Sequence, residues 1–167
     1  MVWGAMSAQA LIELHMVPQK QSVDVDYYVT KILEKSLLPS LARTASTGSL
    51  LDKKMVPRMS PPIFQQNGAP AHTSREAQEW CQENVPGFWD KGTWPGNSPD
   101  LNPIENLWGI LKAELAKAEP CSNVKELTVL LKSAWAMIKP ATLQNLVTGM
   151  PQGVAKCLAM KREHIGR

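Results

Sequence analysis

The chain has little cysteine. Cys81, Cys121 and Cys157 are its only three, far apart in 167 residues and in no Cys-x-x-Cys arrangement. They imply neither a disulfide framework nor a zinc site, and a reducing compartment fits best. Long apolar runs are missing too. Nothing approaches the roughly 18–20 residues that cross a bilayer, and the opening MVWGAMSAQALIELHMV lacks the basic lead of a signal peptide. The chain therefore reads as soluble and intracellular, with no membrane partner. Net charge is also scarce: 18 Lys and Arg against 15 Asp and Glu leave +3. That surplus neither requires nor excludes a polyanionic partner. No internal repeat or low-complexity segment is visible.

What is present is a globular composition. Apolar residues make up 44% and charged residues 20%, with six tryptophans, which argues against a disordered tail. The length is about one domain's worth, enough to bury roughly two thirds of the unfolded surface. Thirteen prolines predict numerous loops.

Residues 11–17 alternate, with Ile12, Leu14 and Met16 on one face and Glu13 and His15 on the other, as in a half-buried strand. MVWGAM before them reads as the partner strand of a hairpin turned at Ser7-Ala8-Gln9. From Asp24, a fair N-cap, Val25, Tyr28, Val29, Ile32 and Leu33 recur at helical spacing, and the helix is expected to reach Leu41. RTASTGSL reads as a loop. Ile63-Phe64 forms a short strand delivered into Asn67-Gly68. Thr73 with Glu76 reads as a capping box opening a helix to Asn84, stopped by Pro86-Gly87. A brief strand is expected near Phe88 and Trp89. A helix then starts at Pro103 behind the N-cap Asn102, with Leu107, Trp108, Leu111 and Leu115 as its apolar stripe. Asn123 with Glu126 caps the next helix, which carries Val124, Leu127, Leu131, Trp135 and Ile138 and is closed by Pro140. A short helix over 141–148 and a basic end complete the chain.

Cleaving a phosphodiester with two divalent cations needs several carboxylates converging from different elements, because hard cations take oxygen ligands and charge develops on the phosphoryl group. Position 67, at a strand end, and Glu105, in the first turn of a helix, are candidate corners of such a cluster. Their spacing alone is weak. A capping box with Asn102 would account for Glu105 with no metal. Asn-Gly is a common turn dipeptide because both residues tolerate positive φ, and His72 reads more simply as a structural histidine than as a ligand.

The segments FQQNGAPAHTS (64–74) and WPGNSPDLNPIENLWGILK (94–112) closely resemble the two signature segments of mariner-superfamily (Tc/mariner-like) transposases, in the same order and at about the same separation. The catalytic domain of that family is a DDE-type endonuclease with an RNase H-like fold. MVWGAM and the Leu37 to Leu41 region fit the family as well, so the resemblance covers nearly the whole chain. It implies an α/β fold, a mixed sheet flanked by helices, lacking the first strand and carrying extra C-terminal helices. Residues 1–118 would be a partial endonuclease domain and 119–167 its helical extension. Glu105 would be the third metal-binding carboxylate, and Asn67 occupies the place of the second, where the family has Asp. The implied cofactor is Mg²⁺ or Mn²⁺, and the implied partner is double-stranded transposon-end DNA in the nucleus. Self-association, or association with a full-length transposase, is a further expectation.

Two departures from the family pattern bear on activity. The family's first catalytic Asp lies upstream of the segment resembling MVWGAM, so that acid is expected to be absent. The nearby Glu13, Asp24 and Asp26 are explained more simply as a solvent-facing residue and helix-start residues. Asn67 offers a carbonyl oxygen without charge and is a weaker Mg²⁺ ligand than Asp. The family's N-terminal helix-turn-helix is not in the sequence either. The expectation is a catalytically inactive remnant of a transposase endonuclease domain, the alternative being a non-catalytic module that binds DNA or associates with a transposase.

Overall fold

The opening hairpin turns where a serine can close it. In the computed structural model, which describes residues 1–46, 63–94 and 98–159, Ser7 Oγ accepts from the backbone N–H groups of Gln9 (3.2 Å) and Ala10 (3.1 Å). Met6 and Leu11 form an antiparallel bridge and Ile12 N–H donates to Ala5 O at 2.9 Å, so the turn falls where the sequence puts it. The regular ladder is shorter than the alternation predicts. Only β1 (Val2–Trp3) and β2 (His15–Met16) are strand, forming a two-stranded sheet. Gly4 interrupts the first arm, as a residue with no side chain to pack weakens a strand interior.

Two compact units divide the chain, Met1–Trp3 with Val17–Asn97 and Gly4–Met16 with Ser98–Arg167. In the first, Asp24 caps the long helix as expected, its carboxylate accepting from Tyr27 N–H at 2.9 Å. The helix runs through α1 (Val25–Tyr27), a π-helical stretch Tyr28–Leu37, and α2 (Leu38–Ser46). Leu38 N–H reaches the carbonyl of Leu33, five residues back. Pro39, which has no N–H to give the Lys35 carbonyl, follows two residues after this wider turn. The helix also outlasts its expected end: residues 43–46 are helical where a loop is predicted, and the rest of that loop lies outside the described residues. The inward stripe is the predicted one, with Tyr28, Val29, Ile32, Leu33 and Leu37 buried.

That helix packs on α3 (Pro70–Thr73) and α4 (Arg75–Asn84). Ala71, Ala77, Cys81 and Val85 complete the core of this unit with Val17. The cap of α4 is Ser74, not the predicted Thr73. Ser74 Oγ accepts from Ala77 N–H at 3.3 Å, whereas Thr73 ends α3 and donates its hydroxyl to Ala69 O at 3.2 Å. Phe64 and Phe88 form a parallel bridge, so with the antiparallel hairpin the β structure is mixed.

The second unit is helical apart from its share of the hairpin. A 3₁₀ turn (Pro99–Leu101) leads into α5 (Pro103–Leu115), followed by α6 (Val124–Ala136), α7 (Pro140–Thr148) and α8 (Met150–Ala159). Leu107, Leu111, Trp135, Leu143 and Leu14 are its buried residues. Trp108 and Trp135 stack at 5.2 Å, Trp135 Nε1–H donates to Ile12 O at 2.9 Å, and Lys132 pairs with Glu13 at 3.0 Å. The stripe read along α6 is buried only toward its end: Val124 is 50% and Leu127 41% exposed, against 4% for Trp135. No helix among the described residues is long and apolar enough to cross a membrane.

Candidate functional site

A parallel bridge delivers residue 67. Phe64 N–H donates to Gly87 O at 2.8 Å and Phe64 O accepts from Trp89 N–H at 3.1 Å, which fixes the end of the short strand. Two residues beyond Gln65 the chain turns at Asn67-Gly68, where Asn67 Oδ1 accepts from Ala69 N–H at 3.1 Å. Both Asn67 and Gly68 are exposed.

Behind this turn lies a polar network that the sequence reading missed. Gln66 Nε2 donates to the Tyr28 hydroxyl and, at 3.9 Å, toward Cys81 Sγ. Gln78 donates to Gln66 Oε1 (3.3 Å) and His72 O (2.8 Å), and its own Oε1 accepts from Lys91 N–H at 2.8 Å. The His72 ring lies against Tyr28 with centroids 4.2 Å apart. Gln66 thus links the strand end to the long helix and α4, and Gln78 links α4 to the following turn. The one sequence signal for it is Gln66, a polar residue two places after Phe64, since such a residue needs partners where it is part-buried.

The network is neutral near pH 7. Burial pushes His72 down to about 4, with a smaller opposing pull from the Asn67 backbone. Burial likewise raises the Cys81 thiol to about 12 and, with the nearby Cys81, pushes the Tyr28 phenol up against the opposing hydrogen bond from Gln66. His72 Nδ1 is buried with no hydrogen-bond partner. A neutral, mostly bonded cluster avoids the large cost of burying charge, and His72 is a packing residue here.

Glu105 is presented differently. Asn102 caps α5 by accepting from Ile104 N–H at 3.4 Å, but its own N–H donates to Pro99 O at 3.0 Å. The donor that a capping box would offer to Glu105 is therefore already taken. The Glu105 carboxylate, half-buried, makes no hydrogen bond or ion pair among the described residues. In α6 the corresponding glutamate is bonded, in a variant of the motif: Asn123 Oδ1 accepts from Glu126 N–H at 3.0 Å while Glu126 accepts from Asn123 Nδ2 at 2.9 Å and Ser122 N–H at 2.7 Å. Capping alone therefore does not explain Glu105.

Asn67 belongs to the first unit and Glu105 to the second. Glu13 is occupied by Lys132, and Asp24 by its cap. Among the described residues no group of three or more His, Cys, Asp or Glu could hold a metal ion. A neutral amide already bonded to Ala69, and one carboxylate, do not fit the several-carboxylate donor set that two hard cations require.

The Phe64–Phe88 bridge leads into the turn at Asn67, and α5 carries the unpartnered Glu105 in its first turn. The chain belongs to the DDE superfamily endonuclease family, whose sequence profile matches residues 42–128. It is 34% identical over 154 residues to the Transposable element Tcb1 transposase of Caenorhabditis briggsae and 29% identical over 152 residues to the Transposable element Tc1 transposase of Caenorhabditis elegans. Each alignment covers 91% of this chain and 48% of the relative, so the chain spans about half the length of the curated relatives it matches. The catalytic domain of Mos1 mariner transposase superposes with a TM-score of 0.70 at 17% identity, covering 99% of this chain and 74% of that one. A structure of the Mos1 catalytic domain and Raltegravir with Mg gives 0.70, with 75% of that chain covered. The fold is thus the RNase H-like α/β fold of the Tc/mariner catalytic domains, here helix-rich with a small sheet.

Proposed function

We propose that this chain is a transposase-type DDE endonuclease domain that engages double-stranded transposon-end DNA but does not cut or join it. The observation that carries the second half is Asn67: at the motif's second acidic position stands a neutral amide whose oxygen is already bound to Ala69 N–H. Kinship with transposable-element transposases supports the first half. On the same kinship the nucleus is its site of action, and 119–167 extends the same catalytic domain. A second copy of the chain, or a full-length transposase, is then a natural partner. Mg²⁺ or Mn²⁺ is the cofactor of the ancestral chemistry, and Glu105 is the one carboxylate here at a matching position.

The experiment for engagement is a gel shift on terminal-repeat DNA over a range of salt. The reading predicts a complex whose affinity falls as salt rises, because released counterions drive phosphate binding. No complex even at low salt would contradict it.

A further inference from the structure

We propose that Asn67 is a self-modification site, where the backbone nitrogen of Gly68 attacks the Asn67 side-chain amide and replaces it with a carboxylate by way of a cyclic imide. The chain holds seven asparagines, and only Asn67 is followed by glycine. Gly68 presents its nitrogen without a flanking Cβ, and both residues are exposed to the water the reaction needs. The hydrogen bond from Ala69 N–H to Asn67 Oδ1 closes a ring that contains both Gly68 N and Asn67 Cγ, the two atoms that must join. The same bond draws electron density from the Cγ carbonyl, making that carbon the better electrophile. Gly68 N–H and Asn67 Nδ2 have no hydrogen-bond partner among the described residues, so neither nucleophile nor leaving group must break a bond first.

The step balances without a redox partner. The bond from Gly68 N to Asn67 Cγ forms, the bond from Cγ to Nδ2 breaks, and ammonia leaves with the proton of Gly68 N–H. Water then opens the imide at one of its two carbonyls. Opening at the backbone carbonyl gives isoaspartate, with an extra methylene in the main chain. Opening at Cγ gives aspartate with the original backbone, and its carboxylate can still accept from Ala69 N–H. The consequence, which rests on the reading of position 67 given above, is that ageing supplies an acid where the family motif carries one.

The test is peptide mapping by mass spectrometry of the full-length folded chain held in mildly alkaline buffer. The proposal expects Asn67 to gain the mass shift of an amide-to-acid exchange severalfold faster than any other asparagine, with both isomers present. Gly68→Ala should slow it severalfold while the other asparagines are unchanged. Conversion of Asn67 no faster than the rest overturns the proposal. Conversion equally fast in Gly68→Ala also overturns it, by showing direct hydrolysis. The readout involves no DNA, so its failure is distinct from a failed gel shift.

Discussion

A Cβ added at Gly4 would lie 3.0 Å from Leu14 Cδ2 and from Trp108 Cη2, and 3.2 Å from Trp135 Cη2. Both indole rings are held, by mutual stacking and by the bond from Trp135 to Ile12, so the neighbours have little room to give. Gly4→Ala should cost about 1–3 kcal/mol by overpacking, read as a lower urea midpoint at unchanged slope; an unchanged midpoint would show that the rings move freely. His72 sets a pH dependence. Its folded value of about 4 lies below its ordinary 6.5, so on acidification the unfolded chain takes up the proton first. Its contribution is whole above about pH 6.5, is lost as pH falls toward 4, and changes no further below that. The slope is at most about 1.4 kcal/mol per pH unit. His72→Phe, which keeps the contact with Tyr28, should flatten that part of the stability profile in urea melts across this window; an equally steep profile would assign the slope to another group. Position 67 was legible as a residue, because an Asn in an otherwise familiar motif is visible in the letters. The partners of Gln66 were not, since they come from Tyr28, Gln78 and Cys81, distant in sequence.

Helices were legible where their ends carry chemistry. Asp24, Asn102 with Pro103, and Asn123 with Glu126 mark starts that the structure keeps. Where two hydroxyls adjoin, the pattern picks the wrong one. Ser74→Ala should cost about 1 kcal/mol as a lost N-cap, while Thr73→Ala should cost less; the comparison is made by urea unfolding, and the reverse order would restore the Thr73 box. The same limit explains Glu105, whose spacing from Asn102 suits a box but whose donor goes to Pro99. Periodicity shows the inward face of the long helix but not its π widening, because Tyr28 to Leu37 keep one apolar side in either register. Strands fared worst. Alternation over 11–17 marks which side is apolar, yet ladder bonds depend on the partner, and only two residues on each arm qualify as strand.

The fold of the whole molecule was legible through its two signature segments rather than through its element pattern, which yields only an α/β order. Superposition on the Mos1 catalytic domain over 99% of the chain agrees with that reading. What the letters could not give is the state of the donors: that Asn67 already spends its oxygen on Ala69, and that Glu105 is left without a partner. Together these underlie the proposal that the donor set of this endonuclease-family domain does not suit two cations. The most direct measurement is a nicking and strand-transfer assay on terminal-repeat DNA with Mg²⁺ or Mn²⁺, using freshly prepared wild-type chain beside Asn67→Asp and Glu105→Ala. The account predicts no metal-dependent product from the wild type and no rescue by Asn67→Asp alone, since among the described residues no cluster of three metal-ligating side chains accompanies Glu105. Metal-dependent nicking by the wild type that disappears in Glu105→Ala would contradict it.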